Sequence, residues 1–172
     1  MTDDGGPATG IRRGRRVGID LGDVRIGVAI CDPDGILASP YETVPDGKGA
    51  LARIAAIAVE VQAIECVVGM PIGLSGREGP AAIKVREICD QLSPLIDPVL
   101  IRLVDERMST MTADALLRQQ GKRSGADRRQ VIDQAAATVI LQTALDAERT
   151  RGTPPGETYV MTNPPSSNGE CR

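Results

Sequence analysis

The spacing of apolar residues changes period part-way along the chain, dividing it into a strand-rich start and an alternating helix–strand remainder. Over residues 16–30, strict alternation puts Val17, Ile19 and Leu21 on one face and Gly18, Asp20 and Gly22 on the other. This pattern predicts two strands joined by a tight turn. Asp32-Pro33-Asp34-Gly35 is turn chemistry, and residues 36–44 read as a third antiparallel strand whose Pro40 suits a sheet edge. Past Pro45-Asp46-Gly47 the period becomes helical. Leu51, Ile54, Ala55, Ala58 and Val61 predict a helix over residues 48–61.

A short apolar strand at 64–68 and a glycine-rich loop at 69–76 follow, then a helix at 80–92. Pro94 and Pro98 are read as breaking the chain before a fifth strand at 99–104, which runs into Asp105-Glu106-Arg107. Ser109 caps a third predicted helix that stops near Gln120 and Gly121. Asp127 with Gln130 resembles a capping box and opens a long helix to about residue 149. The expected organisation is a disordered basic segment at 1–14, one domain at 15–149 and a flexible proline-rich tail at 150–172. Right-handed crossovers then give an α/β fold with a five-stranded mixed sheet, three antiparallel strands followed by two parallel ones, and helices on both faces.

Composition sharpens this picture. Phe and Trp are absent and only two Tyr occur, so the core is built from Val, Ile, Leu, Ala and Met, as buried parallel strands require. Histidine is absent too, which excludes His-based triads and His metal ligands and leaves carboxylates as the leading catalytic groups. Four scattered cysteines form no Cys-x-x-Cys pair. Neither a membrane span nor a secretory leader is read, so the expected location is the cytoplasm. The net charge is -3, yet basic residues bunch at Arg12, Arg13, Arg15 and Arg16, and again at Lys122, Arg123, Arg128 and Arg129. Such patches bind phosphate even on an acidic protein, or serve as solvated faces.

Ligands of such sheets sit at the carboxyl ends of the strands. Asp20 ends the first strand there and Glu106 follows the fifth. Flanked on its own face by two glycines, Asp20 is read as exposed and uncrowded; a plain turn role remains open for it. Asp133 falls in the second turn of the last predicted helix, and Ala136 and Ala137 let that face lie close to the sheet. Three converging carboxylates, with no basic residue expected between them, call for Mg²⁺ or Mn²⁺. Two such ions would clamp a phosphodiester. Arg107 either pairs with Asp105 or contacts phosphate.

The motifs Gly18-Ile19-Asp20-Leu21-Gly22, Arg25-Ile26-Gly27-Val28-Ala29, Val68-Gly69-Met70-Pro71, Asp105-Glu106-Arg107-Met108-Ser109-Thr110 and the alanine-rich helix with Asp133 resemble the YqgF/RuvX family, in its order. The resemblance implies an RNase H-like fold and a nuclease acting on pre-16S rRNA or, as a Holliday-junction resolvase, on branched DNA. It implies Asp20, Glu106 and Asp133 as the catalytic and metal-binding acids. Nucleic acid would be held by Arg25, Arg107, Lys122, Arg123, Arg128 and Arg129. A resolvase needs two sites, which a homodimer supplies. Two other classes compete. A phosphotransferase shares this core but needs a second domain for which the chain has no room, and a silent nucleic-acid-binding protein would keep the fold without turnover.

Overall fold

The computed structural model describes residues 10–109 and 125–161, with backbone alone at 109 and 125–132. Its elements are β1 (Arg16–Leu21), β2 (Arg25–Cys31), β3 (Ala38–Pro45), α1 (Ala50–Glu60), β4 (Glu65–Met70), α2 (Pro80–Ile96), β5 (Leu100–Asp105), a 3-10 turn (Glu106–Ser109), α3 (Gly125–Arg151) and β6 (Glu157–Thr158). The sheet runs β3-β2-β1-β4-β5-β6. Strands β1, β2 and β3 pair antiparallel, while β4 and β5 continue parallel to β1. The mixed sheet, with β4 and β5 parallel to β1 and beside it, is the one expected, with one strand added.

Alternation along each strand sorts the core into two layers. Val17, Ile19, Val28, Cys66, Val68, Ile101 and Leu103 face α1 and α2, where Ile54, Ile57, Val85, Cys89 and Leu92 meet them. Ala29, Cys31, Val67 and Val104 face α3, against Ala137, Ile140, Leu141 and Leu145. Among the described residues no helix is long and apolar enough to cross a membrane.

Several expected boundaries differ. Helix α2 runs through Pro94 to Ile96. A proline this close to the helix end forfeits one backbone hydrogen bond, while continuation buries Leu92 and Ile96 one turn apart. Helix α3 already exists at Gly125, so Asp127 is not its N-cap and Asp133 falls in the third turn. The predicted helix at 109–120 lies outside the described residues beyond its first position.

The segment after residue 150 is not a free tail throughout. Strand β6 pairs antiparallel with β5. Tyr159 is buried beside it, donating its backbone N–H to Ile101 O at 2.8 Å and its hydroxyl to Asp90 and the Arg86 carbonyl. The polar composition concealed one aromatic anchor.

Two of the N-terminal arginines, Arg12 and Arg16, also differ from a phosphate patch. Arg12 donates to both Glu148 and Glu65. Buried Arg16 reaches Glu148 at 3.3 Å, and Arg102 reaches Glu65 at 2.9 Å. Glu65 and Glu148 are themselves buried. This network ties the segment before β1, β4, β5 and the end of α3 together at the pole of the sheet opposite Asp20. Glu148→Ala leaves Arg16 as an unpaired buried charge and should cost about 3–5 kcal/mol of stability. Urea denaturation checks this; a loss under about 1 kcal/mol would mean that water reaches the network.

Candidate active site

Three glycines on adjacent strands seat α3 over the sheet. A Cβ on Gly18 of β1 would lie 2.7 Å from Leu141 Cβ and 2.9 Å from the Ala137 carbonyl oxygen. On Gly27 of β2 it would lie 2.0 Å from the Asp133 carbonyl oxygen, and on Gly69 of β4 2.7 Å from Ile140 Cδ1 and 3.1 Å from Glu106 Cγ. Gly27 is the cross-strand partner of Asp20, and Gly69 stands one step beyond the Ile19–Val68 pair. Asp20 is thus flanked by two bare backbone positions, one filled by the Asp133 backbone and the other bordered by the Glu106 side chain. The space beside Asp20 that the sequence reading left for a ligand is partly taken by α3 at Gly18, and Asp20 is half-buried rather than open.

The electrostatics follow from this packing. Burial, then Glu106, then Asp133, push the Asp20 carboxyl up from 3.8 to about 6. Burial and the neighbouring Asp105 raise Glu106 as well. Asp105 goes the other way, because it accepts hydrogen bonds from the Arg107 guanidinium at 2.7–3.1 Å and from its backbone N–H at 2.8 Å. The adjacent acids have therefore separated: Asp105 closes a local ion pair, and Glu106 borders Gly69 beside Asp20.

Arg25 Nη1 stands 3.7 Å from Asp133 Oδ2, an oxygen that is buried and accepts no hydrogen bond among the described residues. The expectation that no base would stand among the three acids is corrected here. Arg25 begins β2 two residues before Gly27, so alternation turns it to the α3 side. Arg107 is committed to Asp105 and half-exposed. Lys122 and Arg123 lie outside the described residues. Arg128 and Arg129 occupy the first turns of α3, with their side chains outside the description.

Glu106 and Asp133 both act on Asp20, without the three acids forming a coordination shell. Among the described residues no group of three His, Cys, Asp or Glu side chains is gathered so as to hold a metal ion. The roles of Gly27 and Gly69 were missed in the sequence, although a glycine inside a strand marks close approach by another backbone.

The sequence model of the RuvX family, described as Holliday junction resolvase, matches residues 14–147. The chain belongs to the RuvX family. A relative from Nocardioides sp., named "Putative pre-16S rRNA nuclease", is 57% identical over 152 residues, covering 86% of this chain and 97% of that protein. Another of the same name from Streptomyces coelicolor is 56% identical over 149 residues, 86% of this chain and 89% of that one. RuvC of T. thermophilus, solved in complex with a Holliday junction substrate, matches this RuvX chain with a TM-score of 0.54 at 16% identity, over 84% of this chain and 99% of that one. That likeness establishes an RNase H-like, RuvC-type fold. RuvX membership implies a nuclease mechanism that depends on a divalent cation.

The raised Asp20 carboxyl has a consequence for stability. Between the unfolded value of 3.8 and the folded value of about 6, the folded state holds the extra proton, so stability falls as pH rises through that window. Asp20→Asn removes this loss. In chelator the variant should melt above wild type at neutral pH, with the gap closing below about pH 4. A gap independent of pH would assign the effect to something other than Asp20 titration.

Proposed function

We propose that this RuvX protein is a metal-dependent endonuclease that processes pre-16S rRNA, with Asp20, Glu106 and Asp133 as its catalytic carboxylates. The observation that carries the reading is geometric: at the carboxyl end of β1, Asp20 lies between Gly27, where the Asp133 backbone packs, and Gly69, which the Glu106 side chain borders. The relatives' names supply the substrate. The reading carries with it a cytoplasmic location.

The donor chemistry fits a hard divalent cation. All three candidate ligands are carboxylates, Asp133 Oδ2 is buried without a hydrogen bond among the described residues, and added positive charge offsets the burial and the neighbouring acids that raise Asp20. Asp20, Glu106 and Asp133 would hold Mg²⁺ or Mn²⁺, two ions in the fullest arrangement, which supplies activation of water and compensation of charge on the leaving oxygen. The chain's own groups do the rest. Gly27 and Gly69 fix where Asp133 and Glu106 stand, and Arg25, beside Asp133, binds a non-bridging phosphate oxygen and orients the scissile bond. Arg128 and Arg129, on the first turns of α3, neutralise flanking phosphates together with Lys122 and Arg123.

The family's description as a Holliday junction resolvase favours one second reading, branched DNA. Parallel cleavage of a pre-16S-type RNA and a four-way DNA junction tests both. RNA cleavage should vanish in EDTA and return with Mg²⁺ or Mn²⁺. Full activity after chelation overturns the metal dependence, and cleavage of the junction alone reverses the substrate.

A further inference from the structure

Beside Glu106 lies a cleft of about 570 Å³ between the end of β5 and the loop from β4 to α2. The volume is within the range of small-ligand pockets, about 300–1,000 Å³, and far below what a duplex occupies. Pro71, Ile72, Pro80 and Ala81 give it apolar walls, and Arg77 lines it as well. Three other charged groups line it: Arg107 is paired with Asp105, Glu78 with Arg86, and Glu106 borders it on the side of Gly69. Arg77 is exposed and makes no ion pair among the described residues.

The loop wall is formed in advance. Ile72 bridges Glu78, the Gly73 N–H donates to the Arg77 carbonyl at 3.2 Å, and the Gly76 N–H donates to the Gly73 carbonyl at 2.9 Å. Arg86 of α2 holds Glu78 through Nε at 2.9 Å and also Glu157 of β6 at 3.0 Å. The loop is thus braced from the helix that follows it and from the added sixth strand.

We propose that this cleft is the subsite for an unpaired nucleotide next to the phosphodiester that is cut, with its base and sugar on the proline–isoleucine–alanine walls and a phosphate on Arg77. The inference rests on the nuclease reading above and narrows its substrate. A stacked, paired base has no free face to offer such walls, so the cut strand must be single-stranded at that position. The described walls carry no aromatic platform, and Arg107 and Glu78 are already paired, which leaves little to read a base edge, so the subsite accepts any base. RNA with an unpaired flank is the class selected, and fully paired arms are disfavoured.

Binding measured in EDTA separates this subsite from catalysis. Two labelled RNAs are compared, identical except that the nucleotides flanking the cut are unpaired in one and paired in the other. Wild type should prefer the unpaired flank about tenfold, the gain expected from burying about 55 Å² of apolar base and sugar surface. Ala81→Trp, at an exposed wall position, should abolish that preference and leave affinity for the paired RNA unchanged. Arg77→Ala should weaken the unpaired RNA alone. Ser75→Trp, on the exposed loop, replaces Ala81→Trp if the latter melts early. Equal weakening of both RNAs, or of neither, overturns the proposal. A cleft-dependent preference without cleavage under any cation would sink the nuclease reading and leave the subsite standing. Cleavage indifferent to the cleft would do the reverse.

Discussion

Glu106→Gln should reduce RNA cleavage at least about a hundredfold, roughly 3 kcal/mol of transition-state stabilisation, with little change in fold or substrate affinity. The substitution keeps shape and hydrogen-bonding capacity and deletes the charge that a divalent cation needs. Asp20→Asn and Asp133→Asn should behave alike, since each removes one of the three charges gathered around the end of β1. Asp105→Asn is the contrast. Its carboxylate is engaged by Arg107 in a partly exposed pair, so its loss should cost no more than about 1 kcal/mol of stability and leave cleavage near wild type. The test is a set of cleavage rates and melting temperatures for the four variants. A dead Asp105→Asn beside an active Glu106→Gln would exchange the roles of the two neighbours.

The pairing of Asp105 with Arg107 was readable in the chain, where the two stand close together in sequence. Much of the fold was equally readable. Alternation at Val17, Ile19 and Leu21 announced β1, and the switch to helical spacing at Leu51 and Ile54 announced α1. Local period fixes such elements whatever surrounds them. Features set by distant partners were less visible. The buried use of Arg12 and Arg16 depends on Glu65 and Glu148, which are remote in sequence, so a basic run looked like a solvated or phosphate-binding patch. Pro94 looked like a helix breaker because its local cost was plain and the burial of Ile96 was not. Strand β6 rests on Tyr159 within a polar stretch. At the candidate site, the acids could be placed at one sheet edge from topology, but Arg25 beside Asp133 could not. Its position comes from the packing of α3 across β2, which no local pattern encodes.

Gly27→Ala should damage that packing where it matters most. A Cβ there would meet the Asp133 carbonyl oxygen at 2.0 Å and its carbon at 2.5 Å, both backbone atoms of a long helix that cannot yield as a flexible side chain does. Helix α3 must therefore lift from β2, and Asp133 moves with it, away from Asp20 on the neighbouring strand. Overpacking of this kind costs about 1–3 kcal/mol. The loss of cleavage should be larger than that stability change implies, since even small misplacement of a catalytic group is costly. Gly18→Ala is the matched control. It also presses on α3, through Leu141 Cβ at 2.7 Å and the Ala137 carbonyl oxygen at 2.9 Å, but one helical turn or more from Asp133. Both variants should lower the melting temperature, and Gly27→Ala alone should lose cleavage out of proportion when rates are measured well below each melting point. Equal proportional losses would mean that the sheet holds α3 as one rigid unit, with the place of Asp133 set by the helix as a whole rather than by the bare backbone at Gly27.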